Sequence, residues 1–423
     1  MSALSLALAY LRKRPFNTAL NLAMLALGVG TIALLLLFSE QLEDHLVRDA
    51  KGIDMVVGAK GSPLQLILSS VFHVDIPTGN VRIADARTLT QHSMVEAVIP
   101  MALGDSFRGY RIVGTEAAYP AHFEAELASG AWWQAPLEAT IGARVAADVG
   151  MGVGDQFSGA HGLSAGGGAG HEETPYRVVG VMAPTGTVLD RLILTSVESV
   201  WEVHAVHEDE DEHEAEHEEE HEAEHEEEHI YDNVLAEADP EAQVTALLVR
   251  FRSPIAAAQL PRLINMSTPM QAALPAYEMA RMMMLIGVGV DGFRAFALVL
   301  VVSAGLGIFA ALSGALAQRR YDIAVMRSLG ATRGVVLRQI LLEGFLLALA
   351  GTLLGLLLGH GAAAAAGDWL WREHQLHLSG LEWVAGETWL VLLALLLGLV
   401  AAALPAITAY RIDVSQVLAR GSG

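Results

Sequence analysis

Polar and apolar positions are unevenly distributed along the 423 residues. From Pro15 to Ser39 there are 25 residues without a charge, enough to cross a bilayer core at helical rise. No charge occurs between Arg294 and Arg319, between Glu343 and Asp368, or between Glu387 and Arg411, and each gap has at least 23 residues. These blocks predict transmembrane helices over 15–39, 293–317, 337–360 and 388–410. Residues 40–290 contain no comparable block. Their short alternating or β-branched runs, such as IDMVVGAKGS, YRIVGTEAAY, YRVVGVMAPTG and TALLVRFRS, are separated by turn residues. That pattern predicts a mixed α/β domain with small sheets. Residues 1–14 read as an amphipathic helix, 361–387 as a loop and 411–423 as a tail. A cleavable signal peptide is disfavoured, because the first apolar block is long and Glu40, Gln41 and Glu43 follow it. The block is expected to remain as an anchor.

Charge then orients these elements. The formal net charge is −22, but residues 208–228 alone hold fifteen Asp and Glu and no Lys or Arg, which leaves −7 for the rest. No basic module appears, so nucleic-acid binding is disfavoured. The basic residues cluster beside the spans: Arg12, Lys13 and Arg14; Arg319, Arg320, Arg327, Arg333 and Arg338; Arg411 and Arg420. With four spans all three groups fall on one side, and the positive-inside rule makes that side cytoplasmic. The fold class is then a membrane protein with four transmembrane α-helices. A large extracytoplasmic mixed α/β domain is inserted between helices 1 and 2. The absence of cysteine excludes disulfides and thiolate metal sites.

The stretch 319–334 reads as a short basic amphipathic helix, with Ile323, Met326, Leu329 and Val336 roughly sharing a face. Gly330–Ala331–Thr332 supplies the corner into the next helix. Glu343, near the start of the third span, is expected to be an interfacial or bundle-facing carboxylate. Gly305, Gly307, Gly314, Gly351, Gly355 and Gly359 permit close helix contact, within one protomer or in a dimer. The Gly166–Gly170 loop lacks a following Gly-Lys-Ser/Thr and reads as a connector.

Together with the topology, the run Arg319–Arg320–Tyr321–Asp322–Ile323–Ala324–Val325–Met326–Arg327–Ser328–Leu329–Gly330–Ala331–Thr332 resembles the MacB/FtsX/LolC-type permeases, the type VII ABC transporters. Leu342–Glu343–Gly344 and Tyr410–Arg411–Ile412–Asp413–Val414 are similar to further family motifs, with Val414 where proline is common. The resemblance implies a non-catalytic permease of the bacterial inner membrane, with no catalytic residue. It also implies pairing with a second permease copy, identical or not, and with two copies of a cytosolic ATPase that binds the ATP. The 319–334 segment would be the coupling helix, with Arg319, Arg320, Asp322, Ile323, Met326, Arg327 and Leu329 meeting the ATPase. ATP-driven motion would then pass to the outer domain and act on a periplasmic protein, lipoprotein, peptide or metal-carrying partner, in metal (zinc)-linked transport or in lipoprotein or peptide handling. The alternative is an FtsX-like scaffold that activates an outer cell-wall hydrolase. The chain contains no Gly-x-x-x-x-Gly-Lys-Ser/Thr, so a separate ATPase is expected.

Residues 213–229 read HEAEHEEEHEAEHEEEH. His213, His217, His221, His225 and His229 recur every four residues, so helical neighbours would share a face. With His207 they form a candidate metal set. Neutral imidazole suits zinc, copper or nickel, and zinc is the first expectation. The run also matches His-Glu-x-x-His repeatedly, but a protease needs one such helix in a cleft with a further ligand. A solvated acidic loop is the competing reading. Trp201, Glu202 and His204 lead into the run, whereas His73, His161 and His171 read as ordinary surface or core residues.

Overall fold

The computed structural model describes residues 12, 15–162, 174–213, 230–374 and 378–411, with backbone alone for 206–213 and 371–374. Two compact units result, Met1–Glu43 with Met284–Gly423 and Asp44–Met283. The helices that matter here are α1 (Pro15–Asp49), α2 (Val197–His213), α3 (Pro275–Gln318), α4 (Arg320–Ser328), α5 (Arg333–His374) and α6 (Ala385–Tyr410). Among the described residues, four helices are long and apolar enough to cross a membrane, namely α1, α3, α5 up to Leu370, and α6.

Two expectations change in this unit. Residues 361–374 are not loop but a continuation of α5, for which the alanine run Ala362–Ala366 has high intrinsic propensity. The 319–334 stretch is not one helix. It comprises α4, a turn, and the first residues of α5.

Small residues let the helix backbones touch. A Cβ on Gly355 would stand 2.7 Å from Val29 Cβ and 2.9 Å from the Ala26 carbonyl oxygen, and one on Gly30 would stand 2.8 Å from the Gly355 carbonyl oxygen. At these positions the glycine stripe of α5 is used inside the chain, against α1. Buried Gln41 closes the same unit by donating to the Ser379 carbonyl at 2.8 Å and accepting from its N–H at 2.7 Å.

The other unit is built on a mixed sheet. Its strands are β1 (Met55–Ala59), β2 (Val81–Arg82), β3 (Val95–Phe107), β4 (Tyr110–Thr115), β5 (Leu127–Gly130), β6 (Glu138–Ile141) and β7 (Gln156–Phe157). They continue as β8 (Ala160–His161), β9 (Tyr176–Met182), β10 (Leu192–Thr195), β11 (Gln243–Val244), β12 (Ala246–Phe251) and β13 (Met270–Ala273). Eleven of them form one sheet in the order β13-β1-β12-β3-β4-β10-β6-β9-β5, with β7 on β9 and β8 on β3, while β11 and β2 pair separately. The small sheets expected from the short runs are thus one large sheet. Short strands hide this, because neighbours such as β12 and β3 lie far apart in sequence. Central β4 and β10 are buried at every position and pair in parallel, and parallel strands usually lie covered on both faces.

Two apolar clusters cover the sheet. One gathers Met55, Val57, Leu247, Val249, Leu260 and Ile264, and the other gathers Ile112, Ile141, Phe157, Tyr176, Val178 and Ile193. Helix α2 joins both through Val197, Val200 and Val203, a three-residue spacing that holds one helix face down. Ser196 Oγ accepts from the Ser199 N–H at 3.2 Å and caps its start.

Candidate functional site

The basic elbow between α3 and α5 is built by its backbone. Helix α4 ends in two paired bonds, Ala331 N–H to the Met326 carbonyl at 3.0 Å and Gly330 N–H to the Arg327 carbonyl at 3.1 Å. With Gly330 at φ +102° this is a Schellman closure, whose left-handed position glycine occupies without a Cβ penalty. Leu329, just before it, is pushed out of the fold and is 83% exposed.

The apolar face expected to be shared by Ile323, Met326, Leu329 and Val336 divides at this turn. Ile323 and Val336 are buried with Leu312, Leu316 and Ile340, and Met326 packs partly buried against them. These side chains belong to the chain's own core, together with Ala402, Ala406 and Ala409 of α6. Arg319 is also turned inward. Its Nη1 lies 3.2 Å and 3.3 Å from the two carboxylate oxygens of Glu343, which is 3% exposed. This ion pair borders an apolar cavity of about 60 Å³ lined also by Leu316, Ile323, Met326 and Val336. Glu343 is therefore bundle-facing, and its partner is invisible in the sequence because the two lie 24 positions apart, Arg319 in the break before α4 and Glu343 on α5. Arg327 is half-buried, whereas Arg320, Tyr321, Asp322, Leu329, Thr332 and Arg333 are exposed. Of the seven expected contact residues, Arg320, Asp322 and Leu329 point outward.

The expected metal set divides differently. His217, His221, His225 and His229 lie outside the described residues, as do the side chains of His207 and His213 and all of His171. His73 is a core residue, hydrogen-bonded to the Tyr119 hydroxyl at 3.2 Å. Burial, and then the Arg111 and Arg191 charges, hold its pKa well below the ordinary imidazole value. His204 and His161, by contrast, meet at Asp105. In the sequence His204 only leads into the run, His161 reads as an ordinary surface or core residue, and Asp105 carries no local signal.

The comparisons with known proteins follow these two regions. A family model described as FtsX-like permease C-terminal matches residues 294–414, which include the elbow. A second, described as MacB-like periplasmic core domain, matches residues 18–253, more than half of the chain. The uncharacterized ABC transporter permease YknZ of Bacillus subtilis (strain 168) is 34% identical over 119 residues, and the match spans 27% of each chain. The crystal structure of the periplasmic region of MacB from Actinobacillus actinomycetemcomitans aligns at TM-score 0.32 and 13% identity, covering 56% of this chain and 95% of that one. The extracellular domain of the noncanonic ABC-type transporter YknZ from Gram-positive bacteria aligns at TM-score 0.29 and 11% identity, over 52% and 98% respectively.

Proposed function

From the premise that the chain belongs to the MacB/FtsX-type ABC transporter permeases, we propose that it transmits motion from a separate cytosolic ATPase to its outer domain. It is a multi-pass inner-membrane protein with a large extracytoplasmic domain. The observation that carries the proposal is the elbow. A large apolar side chain, Leu329, stands 83% exposed at a rigid turn, between exposed Arg320, Asp322, Thr332 and Arg333. An apolar anchor ringed by charge is what a protein partner's pocket takes up, with the charges setting register.

The inward half supplies the stiffness that force transmission requires. Ile323, Met326 and the Arg319–Glu343 pair tie α4 to α3, α5 and α6. A push on the outward face then moves the helices instead of bending a loop. Two ATPase copies and a second permease copy complete this reading, and the outer domain acts on a periplasmic protein, lipoprotein or metal-carrying partner.

The test is ATP turnover of the purified complex with its ATPase after Asp322→Arg and Leu329→Asp. Both positions are exposed, so the chain should fold normally. Stimulation of the ATPase is expected to fall about tenfold, a loss of about 1.4 kcal/mol of docking. Unchanged turnover with both substitutions overturns the coupling assignment.

A further inference from the structure

We propose that Asp105, His161 and His204 form a binding site for a divalent transition metal, zinc first, in the outer domain and separate from the 213–229 run. One ligand atom from each of the three lies within 4.8 Å of the others. His161 Nδ1 is 3.1 Å from Asp105 Oδ1, His204 Nε2 is 3.6 Å from Asp105 Oδ2, and the two imidazoles stack with centroids 5.1 Å apart. A tetrahedral zinc with bonds near 2.1 Å needs its ligand atoms about 3.4 Å apart. The two measured separations run to different Asp105 oxygens, so binding requires small imidazole rotations that bring both nitrogens toward one oxygen.

Three elements converge to make the cluster. The β3–β4 register shifts between Leu103 and Ser106, so β3 carries an extra residue there. Such a bulge re-aims a side chain. Strand β8 pairs with the bulged segment, with His161 directly opposite Asp105, so the two side chains are cross-strand neighbours. Helix α2, held down by Val203, brings His204 over the same edge. No side chain intervenes at Gly104, where a Cβ would lie 3.6 Å from His204 Nε2.

The burial gradient suits a site that fills from solvent. The Asp105 side chain is 1% exposed, while His161 and His204 are 45% and 38% exposed. The carboxylate is a fixed floor and the imidazoles are the accessible rim. Tyr176 adds a further polar group. Its ring edge and Asp105 Cβ would both lie 3.7 Å from a Cβ on Gly159, and its buried hydroxyl has no hydrogen-bond partner among the described residues.

The charge balance narrows the class of cation. Asp105 is the single carboxylate of the set, and the other two members are imidazoles. Calcium and magnesium, which take oxygen ligands and several carboxylates, are poorly served. Zinc, which draws on imidazole nitrogen, is well served. The His/Glu run begins at His213, nine positions beyond His204 on the same helix.

Zinc alone is the probe, and the protein is the full chain in detergent with residues 207–229 replaced by a Gly/Ser linker. That replacement removes the run and retains all three ligands. One zinc should bind at micromolar concentration or tighter, with two imidazoles in its X-ray absorption spectrum. Asp105→Asn and His161→Gln should each weaken it about 100-fold. His161 lies on an exposed strand end, so its replacement keeps the test valid if Asp105→Asn misfolds. No zinc on the linker chain, or affinity unchanged by His161→Gln, overturns the site. Neither outcome bears on ATPase coupling, which is read separately.

Discussion

The elbow and the Asp105 cluster each gather polar side chains around a buried carboxylate, yet they are assembled in opposite ways. At the elbow the ion pair and the turn both lie between Arg319 and Glu343, within one continuous stretch of the chain. In the outer domain the three ligands are 56 and 43 positions apart in sequence, on two strands and a helix. At the elbow Glu343 has an arginine aligned to both of its oxygens, and the pair borders the apolar core with only the arginine part-exposed. Asp105 faces two half-exposed imidazoles that can exchange a proton for a metal. The first arrangement suits stiffness and the second suits exchange. Burial of the carboxylate is common to both, so the identity and exposure of its partner make the difference.

The largest effect should come from breaking the elbow pair. Glu343→Ala takes the buried carboxylate away from the part-buried Arg319 guanidinium, and removing one partner of a buried pair costs about 3–5 kcal/mol in soluble proteins. It should appear as a marked fall in the thermal midpoint of the detergent-solubilised chain. The double replacement Arg319→Leu with Glu343→Leu should recover most of it, and failure to do so would mean that the pair contributes more than mutual neutralisation.

Next in size is stabilisation of the outer domain by zinc. At a free zinc concentration a hundred times the dissociation constant, a single native-state site adds about 2.7 kcal/mol. The gain should be absent from the linker chain carrying Asp105→Asn. A metal-dependent shift that survives that change would place the ion elsewhere.

A third, smaller effect is a pH dependence. Burial raises the Glu116 pKa to about 7, although its carboxylate accepts from the Val234 N–H at 2.8 Å; Glu198 and Glu237 add to the rise. Below the ordinary value of 4.5 the folded and unfolded chains both hold the proton. Between that value and about 7 only the folded chain holds it, so stability falls as pH rises through this window and the loss is complete above it. Glu116→Gln should flatten that part of the stability profile, measured by denaturant unfolding at fixed ionic strength.

The smallest effect on stability should belong to Leu329. An exposed side chain away from the core changes stability by no more than about 0.5 kcal/mol when cut to alanine. ATPase stimulation should nevertheless drop. If Leu329→Ala destabilises the chain appreciably, the residue belongs with the inward face and the division of the elbow is wrong.

The two regions also differ in how far they were legible. Charge-free length shows the spans, because a bilayer core tolerates few charges and helical rise sets the residue count. The Arg319–Thr332 motif shows the elbow, because a Schellman turn is made by neighbouring residues and glycine occupies its left-handed position. Periodicity failed at Leu329, where it placed one apolar face. The turn begins there, so the helical phase that puts Ile323 and Met326 inward does not carry on to it. In the outer domain, short strands predicted an α/β fold but not the eleven-stranded sheet, because pairing between distant strands leaves no local pattern.

By itself, then, the sequence determined the four spans, their orientation, the basic elbow and the His/Glu run, all of which rest on local composition or spacing. Tertiary structure decided which side of the elbow is free, which arginine Glu343 holds, and that Asp105 meets His161 and His204. Those outcomes depend on helix packing, strand register and a one-residue bulge. Each is set by the burial of many apolar side chains at once, and not by the residues that carry the chemistry.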